Sequence, residues 1–367
     1  MTDTMTPFHD LRAAAKTAGE LAAELAHEAD HNGRLAPRLV QEIATAGFPR
    51  HFVPTRWGGA EASFAELTDA VAQVGEGCAS AAWCAAMFAY TARFAAHLPL
   101  EGQHDLWSAS PDVLLVPGLV PAGHAVEADG GHRLEGRWNY VSGVEFANWA
   151  LIAAPTQNSP RFFALPRKDF TFERTWNAVG MRATGSHTLL VAGAYVPIHR
   201  SVPFPDVTGG VNHVSHAYQH NVPLPAVGGL TCLAPSLGAA RCARSACTAL
   251  VAGKRKGGSA RNATSVDMAL ADADAGIDIA GFLVERITAA LDRGDGPQLA
   301  SRNARDAAYA AKLLVSAVNE LMGAGGTAAQ DQAYELQRCW RNVTIASSHA
   351  ALGTERSARA FAETLLS

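Results

Sequence analysis

Few stretches of this 367-residue chain combine side chains whose types and spacing could do chemistry. "RNVTIASSHAAL", Arg341 to Leu352, reads as a helix of small residues with one imidazole, His349, in its middle. Histidine exchanges a proton near neutral pH, so His349 is either a proton-transfer group or a core residue with satisfied ring nitrogens. "GRWNYVSGVEFANW" alternates aromatic with small polar residues and ends its strand at Ser142-Gly143, where a hydroxyl and a bare backbone can approach a flat heteroaromatic ring. "WNAVGMRATGSHTLLVAGAYVP" sets Trp176, Arg182, Thr184 and Ser186 before a long strand. Each of these two segments can equally be a turn with capping hydroxyls.

Other motifs point elsewhere. His213, His216 and His220 in "NHVSHAYQHN" have spacings that could hold zinc on a helix, but no nearby Cys or acidic residue completes a set, so the stretch reads as a polar loop and no metal is expected. No GxGxxG or P-loop fingerprint is present. "GAGGTAAQ" stands between two predicted helices and is either their turn or a ligand contact.

The elements that must position these residues fall into three blocks. Over residues 1–109 the pattern is helical: Leu11, Ala14, Ala18, Leu21 and Leu25 share a face, "RLAPRLVQEIATAG" is bounded by Pro and Gly, and Ser63 with Glu66 forms a capping box. "ASAAWCAAMFAYTARFAAHL" is rich in alanine and carries Arg93 and His97, so it reads as a buried helix rather than a membrane span. Between 110 and 222 short alternating runs separated by Gly, Pro and Asn predict an antiparallel β-domain. Over 223–367 the helical period returns at about 225–253, 263–292, 297–323 and 331–364, a four-helix bundle joined by "GKRKGGS", "DRGDGP" and "GAGGT". The class is α+β.

Composition limits the partners. The net charge is -4 and the basic residues are scattered, so neither nucleic acid nor an anionic membrane is expected, and a small-molecule substrate is. Six cysteines without a CxxC pair read as buried free thiols, and the first ten residues lack a signal-peptide pattern, so a cytoplasmic protein is expected.

In this helix, β, helix frame, "RWGGAEASFAEL", "SGVEFANW", "GMRATGSHTLLVAGAYVP", "LGAARCARSA" and "GAGGTAAQDQAYELQRCWRN" resemble the acyl-CoA dehydrogenase superfamily over essentially the whole chain. The resemblance implies a flavin between the middle β-domain and the C-terminal bundle, and assembly as a homotetramer. Dehydrogenases of that superfamily commonly carry a Tyr-Glu-Gly signature, the Glu being the base, about eight residues beyond an Arg-Asp pair. Counted from Arg341-Asn342, those places hold His349, Ala350 and Ala351. A histidine in "HAAL" after "RCWRNV" is similar instead to the group D flavin monooxygenases, the branch with 4-hydroxyphenylacetate 3-hydroxylases, dibenzothiophene monooxygenase and nitrososynthases.

That branch implies reduced flavin, FADH2 or FMNH2, supplied by a separate flavin reductase, with O2 as co-substrate and an aromatic or amine compound as the molecule oxygenated. Ser142 matches the family's Ser/Thr beside the flavin N5, and His349 becomes the catalytic proton carrier. Trp176 and Arg182 are implied flavin contacts, with Thr184 and Ser186 as lesser ones. Lys254 and Arg255 in "GKRKGGS" suit a flavin phosphate, and Gly325 and Gly326 match the place where a neighbouring subunit meets the cofactor tail. Many phenol hydroxylases of the branch have a second histidine where Tyr90-Thr91 stand here; Tyr90 is the substrate-pocket candidate, and an N-oxygenase, an oxidase-like reaction or a bulky polycyclic substrate stays open. The rival readings are an acyl-CoA dehydrogenase-like desaturase or oxidase and a non-catalytic member of the fold.

Overall fold

Five helices precede the first strand in the computed structural model, which describes residues 10–257 and 263–366: α1 (Leu11–Asn32), α2 (Pro37–Thr45), α3 (Phe64–Gly77), α4 (Ala79–Ala95) and α5 (Leu100–Trp107). Asp10 caps α1 through the N–H groups of Arg12 and Ala13. Ser63 caps α3 as its sequence predicts, its Oγ accepting the Glu66 N–H at 3.2 Å. The Glu66 carboxylate does not close the box; it turns to the Leu11 backbone. Asp292, from the bundle, accepts the N–H groups of Phe64 and Ala65 at 2.8 and 3.0 Å and so ties α3 to the C-terminal helices. In α4 every residue but Met87 is buried, which is why alanine dominates it: neighbours approach on all sides.

Two four-stranded sheets follow. One has the order β1 (Leu115–Gly118), β4 (Trp149–Ala154), β5 (Arg161–Pro166), β8 (Ser201–Pro203). The other runs β2 (His124–Ala128), β3 (Gly131–Val141), β7 (His187–Pro197), β6 (Thr171–Glu173). Their pairings are antiparallel except β1 with β4, which are parallel. Trp138 bridges the sheets, its indole N–H donating to the Ala153 carbonyl at 2.7 Å. The register of β3 on β7 slips between Trp138 and Val141, where Tyr140 takes a φ of 62°. A bulge there turns the end of β3 and aims the next residue, Ser142, off the sheet into the helices.

After the short helices α6 (Phe204–Gly209) and α7 (Leu224–Val227), both within or beside the expected β-region, come α8 (Leu230–Lys256), α9 (Ala263–Asp292), α10 (Ala300–Gly325), α11 (Glu335–Ser347) and α12 (Thr354–Leu366). The expected continuous helix over 331–364 is broken, and His349 is not inside a helix. Ser348 ends α11 by donating its hydroxyl to the Ile345 carbonyl at 2.7 Å, one of the carbonyls a further turn would use. His349 is extended, at φ -65° and ψ 140°, and starts a 3-10 turn over Ala350–Leu352. Apolar periodicity alone does not register such a stop, because the small residues on either side suit a helix equally well.

Candidate active site

Four elements converge on Ser142. Trp83, in the first turns of α4, donates its indole N–H to Ser142 Oγ at 3.0 Å. Ser142 Oγ lies 2.8 Å from Ser186 Oγ, and Ser186 Oγ lies 2.7 Å from Thr184 Oγ1. Thr184 donates its hydroxyl to the Met181 carbonyl at 2.9 Å. All four side chains in this chain are buried. The Ser142-Gly143 corner is fixed by the Gly143 N–H, which donates to the Thr184 carbonyl at 2.8 Å with Gly143 at a φ of 73°.

The turn that carries Thr184 is held by α11. Met181 is a left-handed non-glycine residue, φ 51°, and its N–H donates to Asn342 Oδ1 at 2.7 Å. Arg341 reaches the Val179 carbonyl and pairs with Asp30 at 2.7 Å. Gly180 has no alternative: a Cβ there would stand 2.3 Å from the Arg341 carbonyl oxygen. Thus "RN" in "RNVTIASSHAAL" fastens the hydroxyl turn, and the same segment delivers His349 from the other side.

The His349 ring meets Trp83 edge to face, with centroids 5.7 Å apart. Its Nδ1 accepts the Ala351 N–H at 3.2 Å, so the neutral ring carries its proton on Nε2, which has no hydrogen-bond acceptor among the described residues. Water reaches the side chain, yet the surrounding protein lowers the imidazole pKa by desolvation. A neutral histidine with one free N–H, an indole and a buried hydroxyl make a site that can hold a polar flat ligand and pass one proton.

Trp176 and Arg182 stand beside this group but are already engaged. Trp176 donates its indole N–H to the Met181 carbonyl at 2.9 Å, and the Arg182 guanidinium donates to the Asp30 carbonyl at 2.7 Å. Tyr90 lies two turns along α4 from Trp83, on the same face, about 10 Å away at 1.5 Å per residue. Its buried hydroxyl has the Thr68 side chain as a polar neighbour but no well-formed hydrogen bond among the described residues, and the ring sits 5.4 Å from that of Phe52. Met87, the accessible residue of α4, lies between Trp83 and Tyr90.

Lys254, Arg255, Gly325 and Gly326 are not brought to Ser142 in this chain. Lys254 donates to the Gly325 carbonyl at 2.5 Å and Arg255 pairs with Asp267, at the C-terminal end of α8. The His349 turn meets the other end: Leu352 and Ala351 face Gly229 and Gly228. About 25 residues of helix separate the two, roughly 35 Å. His220, expected in a polar loop, is fully buried; its Nδ1 accepts the Ser215 hydroxyl and its Nε2 donates to the Phe52 carbonyl, both at 2.7 Å. No group of metal-ligating side chains occurs among the described residues. Trp83, Met181 and Asn342 were not legible as site residues. Trp83 sits in an apolar helix that reads as core, and a carbonyl acceptor or an amide clamp has no sequence signature.

Models of the acyl-CoA dehydrogenase N-terminal and C-terminal domains match residues 10–98 and 230–354. The oxygenase component of an FADH2-dependent resorcinol hydroxylase from Rhizobium sp. (strain MTP-10005) is 30% identical, covering 92% of this chain and 90% of that protein. The chain belongs to the flavin-dependent monooxygenases of the acyl-CoA dehydrogenase fold. The oxygenase subunit HsaA of a flavin-dependent monooxygenase from Rhodococcus jostii (strain RHA1) is 28% identical over 91% of this chain and 92% of that one. Among solved structures, XiaF from Streptomyces sp., in complex with FADH2 and glycerol, superposes on the monooxygenase with a TM-score of 0.88 at 25% identity, covering 100% of this chain and 98% of that chain. Among the described residues no helix is long and apolar enough to cross a membrane.

Proposed function

We propose that this monooxygenase is the oxygenase component of a two-component system: it takes reduced flavin, FADH2 in preference to FMNH2, from a separate reductase and oxygenates an aromatic small molecule with O2. The observation that carries the reading is the buried Trp83, Ser142, Ser186, Thr184 chain, whose Trp83 ring meets His349, in a family whose relatives include an FADH2-dependent hydroxylase. The residues fit a flavin: Ser142 Oγ keeps one unclaimed lone pair beside a glycine that leaves its ring edge room. When bound, the reduced flavin supplies the electrons that activate O2.

The chain's own groups do the rest. Ser142 holds the cofactor edge, while the indole of Trp83 and the buried hydroxyls exclude water from it. His349, neutral at pH 7 with its proton on Nε2, exchanges that proton with the reacting oxygen and recovers it from the substrate or solvent. The face of α4 bearing Trp83, Met87 and Tyr90 receives the substrate, with the buried Tyr90 hydroxyl as its polar stop. Trp176 and Arg182 shape the cofactor side of the turn.

A homotetramer in the cytoplasm completes the proposal. Met268, Ile279 and Phe282 of α9 and Tyr309 of α10 are exposed. Lys254, Arg255, Gly325 and Gly326, remote from Ser142 along α8, could contact only a neighbour's cofactor. All six cysteines are free thiols, consistent with a reducing compartment. The test is anaerobic titration with FADH2 and FMNH2, followed by exposure to O2 with a panel of phenols and indoles, with product and H2O2 measured together. Product formation dependent on reduced flavin is expected. Bleaching of bound oxidised flavin by acyl-CoA, with no oxygenated product from any phenol or indole, would overturn it in favour of a dehydrogenase. A monomer in sedimentation at micromolar concentration would overturn the tetramer.

A further inference from the structure

We propose that Thr184 fixes the direction of the hydroxyl chain behind Ser142 and thereby makes the site select reduced over oxidised flavin, acting as a positioning residue that does not itself touch the cofactor. The inference rests on the reading that Ser142 faces the flavin N5 edge.

The argument is an accounting of protons. Each hydroxyl has one to give and two lone pairs to receive with. The Met181 oxygen is a carbonyl and only accepts, so the proton of Thr184 is spent on it at 2.9 Å. The 2.7 Å contact between Thr184 and Ser186 therefore needs the proton of Ser186. The 2.8 Å contact between Ser186 and Ser142 then needs the proton of Ser142. At the far end the Trp83 indole N–H, which only donates, occupies one lone pair of Ser142 at 3.0 Å. Ser142 is left with a single lone pair and no proton for a ligand.

Such a group discriminates between the two flavin states. Reduced flavin carries a hydrogen on N5 and donates; oxidised flavin has a bare N5 and accepts. With reduced flavin every proton in the chain has an acceptor and every oxygen accepts at least one hydrogen bond. Oxidised flavin must either face a lone pair with a lone pair or force all three hydroxyls to reverse. Reversal removes the Thr184 hydroxyl from Met181, and the reversed arrangement has one hydrogen bond fewer in total.

The acceptor is anchored against such a change. The Met181 carbonyl also receives the Trp176 indole N–H at 2.9 Å and the Thr184 N–H at 3.2 Å. Met181 itself is held in its left-handed conformation by the side chain of Asn342. The carbonyl therefore keeps its orientation, and Thr184 is the residue that converts it into a polarity at Ser142. Thr184→Val removes both the donor to Met181 and the acceptor for Ser186. The Ser186 proton then turns to Ser142, and the Ser142 proton faces the ligand.

The experiment measures dissociation constants of the purified protein for FAD and, anaerobically, for FADH2, together with the midpoint potential of the bound flavin. One net hydrogen bond corresponds to a reduced-over-oxidised preference on the order of fivefold. Thr184→Val should lower the preference by about that factor and the bound midpoint potential by about 20 mV, since tenfold is about 30 mV for a two-electron couple. Thr184→Ser, which keeps the hydroxyl, should retain both. Ser186→Ala frees the Ser142 proton by a separate route and should lower the preference in the same direction, which keeps the test decisive if Thr184→Val does not fold. An unchanged ratio in Thr184→Val or in Ser186→Ala, or an equal loss in Thr184→Ser, would overturn the proposal. Failure of the unmodified protein to bind flavin in either state would overturn the flavin reading itself.

Discussion

Replacing His349 by alanine separates a catalytic from a packing role, because the structure assigns them very different magnitudes. The residue is exposed at its surface side, its ring accepts a 3.2 Å hydrogen bond from the Ala351 N–H, and the ring makes an edge-to-face contact with Trp83 at 5.7 Å. A hydrogen bond of this kind contributes about 0.5–1.5 kcal/mol and an aromatic pair a similar amount at most. Both are discounted here by water competing at an exposed site. Alanine, in a turn outside the helix, leaves no buried cavity, so the loss of stability should stay near 1 kcal/mol or below, against about 3–5 kcal/mol for a large core side chain. The chemistry should respond far more, since a general acid or base contributes about 10²–10⁴-fold. The assay compares melting temperature, FADH2 affinity and the ratio of product to H2O2 on one preparation. We expect a melting temperature within about 2 °C of the parent, unchanged affinity, and product reduced at least 100-fold with peroxide released in its place. Normal product yield from a strongly destabilised variant would refute the reasoning and leave His349 as packing.

Three further outcomes follow from the same geometry. Tyr90→Phe removes a buried hydroxyl that has the Thr68 side chain beside it but makes no well-formed hydrogen bond among the described residues, so melting should change little while KM for the aromatic substrate rises; a drop in melting temperature with unchanged KM would contradict the assignment. Gly180→Ala places a methyl 2.3 Å from the Arg341 oxygen and should cost about 1–3 kcal/mol. Flavin binding should weaken as the Met181 to Asn342 clamp opens, and unchanged melting and affinity would exclude that clamp. Acid should destabilise the fold below pH 6.5: burial lowers His51 and His220 to about 4 and His97 to about 3. In the unfolded chain all three protonate near 6.5, so the unfolded state binds more protons in this window and stability falls with pH, by about 1.4 kcal/mol per unit for each histidine. Their contribution is complete above pH 6.5 and is lost as pH falls towards their native values. A flat melting temperature from pH 7 to 5 would count against it.

Much of the architecture was legible before any coordinates. Helical and alternating periods are local properties, and they mark the α1 helix and the runs that become β3 and β7. The Ser63 cap is local too, requiring one hydroxyl and one N–H three residues on. His349, Ser142, Thr184 and Ser186 stood out as residues whose types suited proton transfer or hydrogen bonding to a ring. Their relation did not. Which way a row of hydroxyls points is decided by the groups at its two ends, and those ends, Trp83 and Met181, come from segments about 100 residues apart, one of them a backbone carbonyl with no identity in sequence. The break before His349 depended on a serine choosing a carbonyl over solvent, and the distance of Lys254 from Ser142 on the length of helix α8. Periodicity fixes what each segment is because it follows from neighbours along the chain; the site's polarity follows from neighbours in space, which packing alone selects.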